Sequence, residues 1–224
     1  MFRSRRRGVV FPQADHARLA GTLALAWRDR PPLPFASFVR GVADHDRGYG
    51  EHDDAEIGAV ASERWVGIQR RGFTPRGDDP VVDLVAALHV RRLLSSQDDD
   101  HERAAFAEVD AILPSLRAAA GVTAAAADAA DLITNVCDRV AFLFCFEEPG
   151  EGEAHGLSYS LDGFGAIAID PWPLEVPRLV GLVTAYEAEG YPERLVPVVT
   201  PFEARPSVLT PALSQRSPRT SQGV

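Results

Sequence analysis

The residues whose types and spacing could do chemistry begin with the adjacent pair His45-Asp46. The pair follows an apolar helical pattern that includes Phe38 and Val42, and Gly48 then breaks the helix. At a helix end, an imidazole nitrogen and a carboxylate oxygen can both reach one cation. This mixture of ligands suits iron, manganese, zinc or nickel better than calcium, which prefers oxygen alone. The pair therefore indicates a metal site, and a charged, solvated loop is the alternative.

Three more metal-type side chains fall on the apolar faces of predicted helices. His16 shares one face with Ala20, His89 lies on a second apolar helix, and Asp138 lies inside a strongly apolar run. A buried carboxylate needs a base or a metal as its partner, because an isolated buried charge is costly. Arg139 offers Asp138 such a partner without any metal. If one or two ions of iron, manganese, zinc or nickel bind instead, the candidate ligands are His16, His45, Asp46, His89 and Asp138.

The elements that must position these residues can be predicted from apolar periodicity and from helix caps. Asp79 followed by Pro80 is a favourable helix start, and Thr123 can cap a long helix. Helices are predicted at residues 13–28, 35–46, 80–92, 106–113 and 123–146. Residues 56–73 are predicted to be irregular. Short strands are predicted at residues 8–11, 157–161, 166–170, 178–187 and 194–200.

The composition limits the kind of protein. The 224 residues carry a net charge of -9, which argues against a nucleic-acid backbone as the main partner. All 23 basic residues are arginine, so lysine Schiff-base chemistry and a P-loop lysine are excluded. The arginine-rich start lacks a following apolar segment, and no apolar run is long enough to cross a bilayer. We therefore expect a cytoplasmic protein with no membrane partner.

Three motifs carry a resemblance to known families. They are Gln13-Ala14-Asp15-His16-Ala17, the run from His45-Asp46 through Gly48-Tyr49 to Asp53, and Cys137-Asp138-Arg139. These motifs look like a bacterial family, domain of unknown function family 3891. More broadly, their order resembles the HD-domain superfamily of metal-dependent phosphohydrolases. In that superfamily an early His, an adjacent His-Asp pair and a late Asp hold a divalent metal, and an added His is typical of members with two metals.

The resemblance implies a fold class and a division of the chain. The expected fold is mainly α, with an HD-like helical core and a small C-terminal antiparallel sheet. The core would cover residues 1–148, and a small β appendage packed on the core would cover residues 149–203. Residues 204–224 are rich in Ser, Pro, Thr and Arg, so a disordered tail is expected there.

The resemblance also implies a divalent-metal-dependent hydrolase that acts on a small phosphoester or a nucleotide-like small molecule. Besides this small molecule, a second copy of the chain in a homodimer is a candidate partner. The candidate catalytic residues are Asp46, Asp53 and Arg92, and Tyr49 would line the same cavity. Tyr49 stands where many HD hydrolases place Lys or His near the substrate phosphate. An arginine would have to bind the phosphate instead, and the candidates are Arg47, Arg91, Arg92 and Arg139.

Two other functions remain open at this stage. A di-iron oxygenase on the same fold needs a sixth ligand, for which His101 and Asp131 are the nearby candidates. A non-catalytic ligand-binding or regulatory protein would keep the helical scaffold without turnover. A serine hydrolase is disfavoured because the sequence around Ser158 lacks the second glycine of the nucleophile elbow and precedes a strand.

Overall fold

Helices make up most of the first two thirds of the chain. The computed structural model describes residues 1–148, 150–163 and 165–207. Within these ranges the helices are α1 (Gln13–Leu25), α2 (Phe35–Ala43), α3 (Ser62–Phe73), α4 (Pro80–Leu93), α5 (Asp100–Ala120) and α6 (Ala124–Phe146). Short 3-10 turns follow α2 at Arg47–Tyr49 and α4 at Leu94–Ser96. No helix in the described ranges has the length and apolar character needed to cross a membrane.

The helix starts follow the capping residues. The Asp79 carboxylate accepts hydrogen bonds from the backbone N–H groups of Val81 and Val82 at the start of α4. The Thr123 hydroxyl accepts one from the Ala126 N–H, 3.2 Å away, at the start of α6. Both predicted caps are confirmed. The prediction of irregular structure over residues 56–73 is wrong for α3, because its alternating charged residues conceal an apolar stripe that packs on α4.

One sheet of seven strands covers the other side of the molecule. In the described residues its strands are β1 (Phe2–Arg3), β2 (Val9–Phe11), β3 (Glu151–Ala154), β4 (Leu157–Leu161), β5 (Ile167–Asp170), β6 (Leu179–Glu187) and β7 (Pro197–Pro206). Their order in the sheet is β1-β2-β6-β7-β5-β4-β3. Most neighbours are antiparallel, but β5 and β7 are parallel, with Ile167 opposite Ala204.

The predicted fold class is therefore wrong. The sheet is neither small nor purely antiparallel, and it is not confined to the C-terminal part of the chain, since β1 and β2 join it through pairing of Val10 with Tyr186. The protein is an α+β structure with six helices on a seven-stranded mixed sheet in its described part. Local alternation predicts strands but does not identify their partners, which is why the extent of the sheet could not be predicted.

Two apolar cores divide the helices. The larger core lies between the sheet and helices α1, α2 and α6, and the rings of Phe144 on α6 and Phe202 on β7 meet at 5.1 Å. The smaller core joins α3, α4 and α5 around Val66, Leu84 and Val109. Helices α4 and α6 contribute to both cores, so they connect the two parts of the helical layer.

The predicted division at residue 148 stays a prediction. The sheet nevertheless takes strands from both sides of it, which binds the two predicted segments together through backbone hydrogen bonds. Strand β7 continues to Pro206, inside the segment predicted to be a disordered tail. Residues 208–224 of that predicted tail lie outside the described residues.

Candidate metal centre

Small residues on α1 and α2 bring the candidate ligands together. A Cβ atom added to Gly21 of α1 would lie 2.7 Å from the Cβ of Ala43 on α2. One added to Gly41 of α2 would lie 2.8 Å from the Cβ of Val85 on α4. Only glycine permits these approaches, so α2 packs closely between α1 and α4. The turn after α2 therefore carries its His-Asp pair to the space between the histidines of α1 and α4.

The five candidate ligands meet at this point. His16 Nε2 lies 3.0 Å from Asp138 Oδ1 and 3.7 Å from Asp46 Oδ2. His45 Nε2 lies 3.3 Å from Asp46 Oδ2 and 3.5 Å from Asp138 Oδ1. His89 Nε2 lies 3.3 Å from Asp46 Oδ1. The predicted convergence is thus observed, whereas binding of a metal there stays a prediction.

The orientation of His45 prepares one of its nitrogens for a cation. Its Nδ1 lies 2.7 Å from the backbone oxygen of Val42, which can only accept a hydrogen bond, so Nδ1 carries the proton. In the neutral ring Nε2 is then an unprotonated nitrogen directed at two carboxylates. A backbone carbonyl thus fixes the ring, as a carboxylate often does for metal ligands.

Three buried nitrogens of the cluster lack a hydrogen-bond partner among the described residues. They are His16 Nδ1, His45 Nε2 and His89 Nε2. A buried polar atom without a partner typically costs about 1–3 kcal/mol. In the neutral His45 ring, a cation near Asp46 would satisfy Nε2 and remove the repulsion between its lone pair and the carboxylates, and without a metal a proton on Nε2 does the same. The donor set therefore fits a divalent transition metal, because imidazole nitrogens and carboxylate oxygens are its usual ligands.

The distances between donor atoms allow more than one ligand set. One set consists of His16, His45 and Asp46, and a second consists of His45, His89 and Asp138. Within each set, one donor atom of every residue lies within 4.8 Å of the others. His45 belongs to both sets, so it stands at the centre of the cluster.

The ionisation of the cluster follows from burial and from mutual attraction. Burial alone would lower the pKa of His45, but Asp46 and Asp138 outweigh it and raise that pKa to about 10. Burial would raise the pKa of Asp46 and of Asp138, but the neighbouring histidines outweigh it and lower both. Burial, together with the charge of His45, lowers the pKa of His89. Without a metal, the stable arrangement is one imidazolium at His45 between two carboxylates.

The cluster is open to solvent on one side. The side chain of Asp46 is only 7% exposed, whereas that of Asp138 is 18% exposed. Arg92 lies at this edge, where its Nη2 donates a hydrogen bond to His89 Nδ1 at 2.9 Å and lies 3.7 Å from Asp138 Oδ2. Its Nη1 contacts Asp131. Arg92 thus lies beside the candidate ligands, and its predicted catalytic role stays a prediction.

The other predicted pocket residues lie deeper. Asp53 is buried and accepts a hydrogen bond from the backbone N–H of Gln13 at 2.9 Å, and it also contacts the amino group of Met1. Tyr49 receives a hydrogen bond from Gln69 at 3.3 Å and borders a cavity of about 360 Å³. Neither residue faces bulk solvent. The contacts of Asp53 hold the chain between the 3-10 turn Arg47–Tyr49 and α3 in place. Its catalytic role stays a prediction.

Several residues weighed from the sequence are engaged elsewhere. His101 is exposed at the beginning of α5, outside the cluster. Arg47 is almost fully buried and donates to Asp83 at 2.7 Å, so it is not available to bind a phosphate. Arg91 points away from the site and pairs with Asp110. Of the four phosphate-binding candidates, Arg92 and Arg139 therefore remain.

Two residues of α6 border the opening beside Asp138. Asp131 lies seven residues earlier on the same face, a spacing visible in the sequence. Asn135 lies between them on that face, and it was not predicted. Its side-chain oxygen accepts a hydrogen bond from Arg139 Nε at 3.1 Å, and its side-chain nitrogen lies 2.9 Å from His155 Nε2. The signal that could have identified Asn135 is its polar character in an otherwise apolar helical run.

No protein-family model matches the chain, and no curated protein or solved structure matches it either. The resemblance to domain of unknown function family 3891 and to the HD-domain superfamily therefore stays a prediction based on the motifs. We therefore infer the function from the geometry of the site.

Proposed function

We propose that the protein is a divalent-metal-dependent hydrolase that acts on a small phosphoester or a nucleotide-like substrate. The observation that carries this proposal is the meeting of three histidines and two aspartates from four separate helical segments, with the Arg92 guanidinium beside Asp138, the more exposed aspartate. Each of these buried groups would be destabilising without a partner, and a cation offsets that cost for the groups that bind it. A purely structural cluster would not need to open toward solvent beside a guanidinium.

The chemistry of the site follows from what each group can do. A divalent ion, when bound, polarises a phosphoryl oxygen and lowers the pKa of a water molecule to near neutrality. Arg92 presents its guanidinium at the open edge, where it can bind the oxygens of a phosphate. Arg139 follows Asp138 on α6 and donates to Asn135, and it is the second arginine candidate for binding a phosphate. Buried Asp46 lies close to all three histidines and holds their rings beside the carboxylate of Asp138.

The metal content tests the first half of the proposal. Protein purified without chelator or a metal-affinity tag is analysed for iron, manganese, zinc and nickel, and then again after removal and re-addition of each ion. We expect at least one tightly held ion per chain. Asp138→Asn should lower this content, while Asp98→Ala, an exposed change remote from the cluster, should leave it unchanged. A wild-type chain that binds none of these ions would refute the proposal.

Hydrolysis tests the second half. The reconstituted protein is incubated with a generic aryl phosphate and with nucleoside mono-, di- and triphosphates, and phosphate release is measured. We expect metal-dependent turnover that Asp138→Asn abolishes and Asp98→Ala preserves. A protein that binds the metal but releases no phosphate from any of these substrates would instead be a binding or regulatory protein.

A further inference from the structure

The guanidinium of Arg92 lies beside three metal-type side chains, two of which, His89 and Asp138, also belong to the cluster around His45. Its Nη2 lies 2.9 Å from His89 Nδ1 and 3.7 Å from Asp138 Oδ2, and its Nη1 contacts Asp131. His89 Nδ1 and Asp138 Oδ2 lie 3.7 Å apart, close enough to share a divalent ion if the guanidinium were removed, and Asp131 contacts the same guanidinium. Asp138 belongs both to this group and to the cluster around His45, so it would be the residue that two ions share.

The hydrogen bond from Arg92 determines which nitrogen of His89 carries the proton. A guanidinium can only donate, so Nδ1 of His89 must accept. In the neutral ring the proton is then on Nε2, the nitrogen that faces Asp46 at 3.3 Å. A protonated nitrogen cannot bind a metal. While Arg92 keeps this position, neither nitrogen of His89 is therefore available as a ligand.

The charges of the site give the same result. The cluster and its edge contain three carboxylates, those of Asp46, Asp131 and Asp138. One divalent ion and the Arg92 cation together neutralise three negative charges. While Arg92 is present, a second divalent ion would bring five positive charges against three negative ones at a partly buried site, and its place is already taken by the guanidinium.

We infer that Arg92 takes the place of a second metal ion, so that the site holds a single divalent ion with His89 as a non-ligand, and that removing Arg92 creates a second divalent-cation site from His89, Asp131 and Asp138. This inference rests on the proposed metal-dependent function. Arg92 would supply the positive charge that a second ion would otherwise bring to a bound phosphate. The presence of His89, the added histidine, therefore does not indicate a second metal ion in this protein.

The experiment counts Mn²⁺ ions on the full chain after removal of bound metals. Mn²⁺ is titrated into the wild type, Arg92→Ala and Arg92→Met, with bound metal measured by elemental analysis and electron paramagnetic resonance. Arg91→Ala is the matched control, because Arg91 is the adjacent residue of α4 and also pairs with an aspartate. A combined Arg92→Ala and Asp131→Asn variant removes one predicted ligand of the created site.

We expect one tightly bound Mn²⁺ in the wild type and in Arg91→Ala, with the hyperfine pattern of an isolated ion. Arg92→Ala should bind two, with an exchange-coupled spectrum, and the combined variant should return to one. Arg92→Met keeps the packing of the side-chain stem and gives the same test if Arg92→Ala does not fold. Two ions in the wild type, or one ion in folded Arg92→Ala and Arg92→Met, would overturn the inference while leaving the proposed function intact. No ion in the wild type would overturn both.

Discussion

Binding of a divalent ion to the cluster should release about one proton from His45 near neutral pH. The pKa of His45 is raised from 6.5 to about 10, so the metal-free ring is an imidazolium at pH 7. A metal ligand must be the neutral imidazole. The pKa values of Asp46 and Asp138 are lowered and that of His89 is also lowered, so these three groups carry no proton that the metal would displace. The expected number is therefore close to one.

The same exchange sets the pH dependence of metal affinity. Each unit of pH below the pKa of His45 makes the competing proton harder to displace, so the dissociation constant should fall about tenfold per pH unit between pH 6.5 and 10. Calorimetric titration with Mn²⁺ in buffers of different ionisation enthalpy measures the released protons directly. His101→Ala, an exposed change on α5, is the control. Zero released protons, or an affinity that does not vary with pH, would refute this assignment of charge.

The metal-free protein should show the corresponding change in stability. Because the folded pKa of His45 is raised, its contribution is fully present below pH 6.5 and is lost as the pH rises toward 10. The slope can reach about 1.4 kcal/mol per pH unit for one proton. The lowered pKa values of Asp46 and Asp138 act in the opposite direction, and their contribution is lost only as the pH falls below 3.8. Urea unfolding of chelator-treated protein across pH 6.5 to 10 measures this loss.

Two further comparisons, each of a variant with its control variant, test the site and its scaffold. Mn²⁺ at a hundredfold excess over its dissociation constant should stabilise the wild type by about 2.7 kcal/mol, or roughly 5–10 °C in Tm. Asp46→Asn should lose this shift and Asp98→Ala should keep it; equal shifts in both would contradict the ligand assignment. Gly48→Ala should destabilise by about 2 kcal/mol or more, because a Cβ there would overlap the backbone oxygen of Ile68. Gly67→Ala, whose Cβ meets no atom within 4 Å, should stabilise α3 by up to about 1 kcal/mol, and chemical denaturation compares the two.

The convergence of the candidate ligands could be predicted because of where they lie on their helices. His16, His89 and Asp138 each interrupt an apolar helical face, and an apolar face must pack on the core. Several such faces in one small domain have few ways to be buried, so their polar members tend to meet. The direction of each ring could not be predicted, because the bond from His45 to Val42 depends on how the turn after α2 is built.

The position of Arg92 lies beyond what periodicity can decide. A long basic side chain at the edge of a helix usually extends into solvent. Here Asp131 and Asp138 lie two turns apart on α6 and draw the guanidinium inward between them. That arrangement depends on how α4 and α6 pack together, which the sequence does not reveal. The same limit applies to the sheet, where Val10 and Tyr186 pair across most of the chain.

The two carboxylates of the proposed site are unequally buried, because Asp138 is more exposed than Asp46. Asp46 is 7% exposed and lies close to all three histidines, so its proposed contribution is to hold the ion and the rings. Asp138 borders both the ion position and the open edge, and Asp131 lies roughly 10 Å farther along the same helix axis. Arg92 spans this interval between them. If an ion binds beside Asp138, α6 would hold it at a fixed distance from Asp131 and so from the Arg92 guanidinium that Asp131 contacts, and we expect a phosphate to reach both.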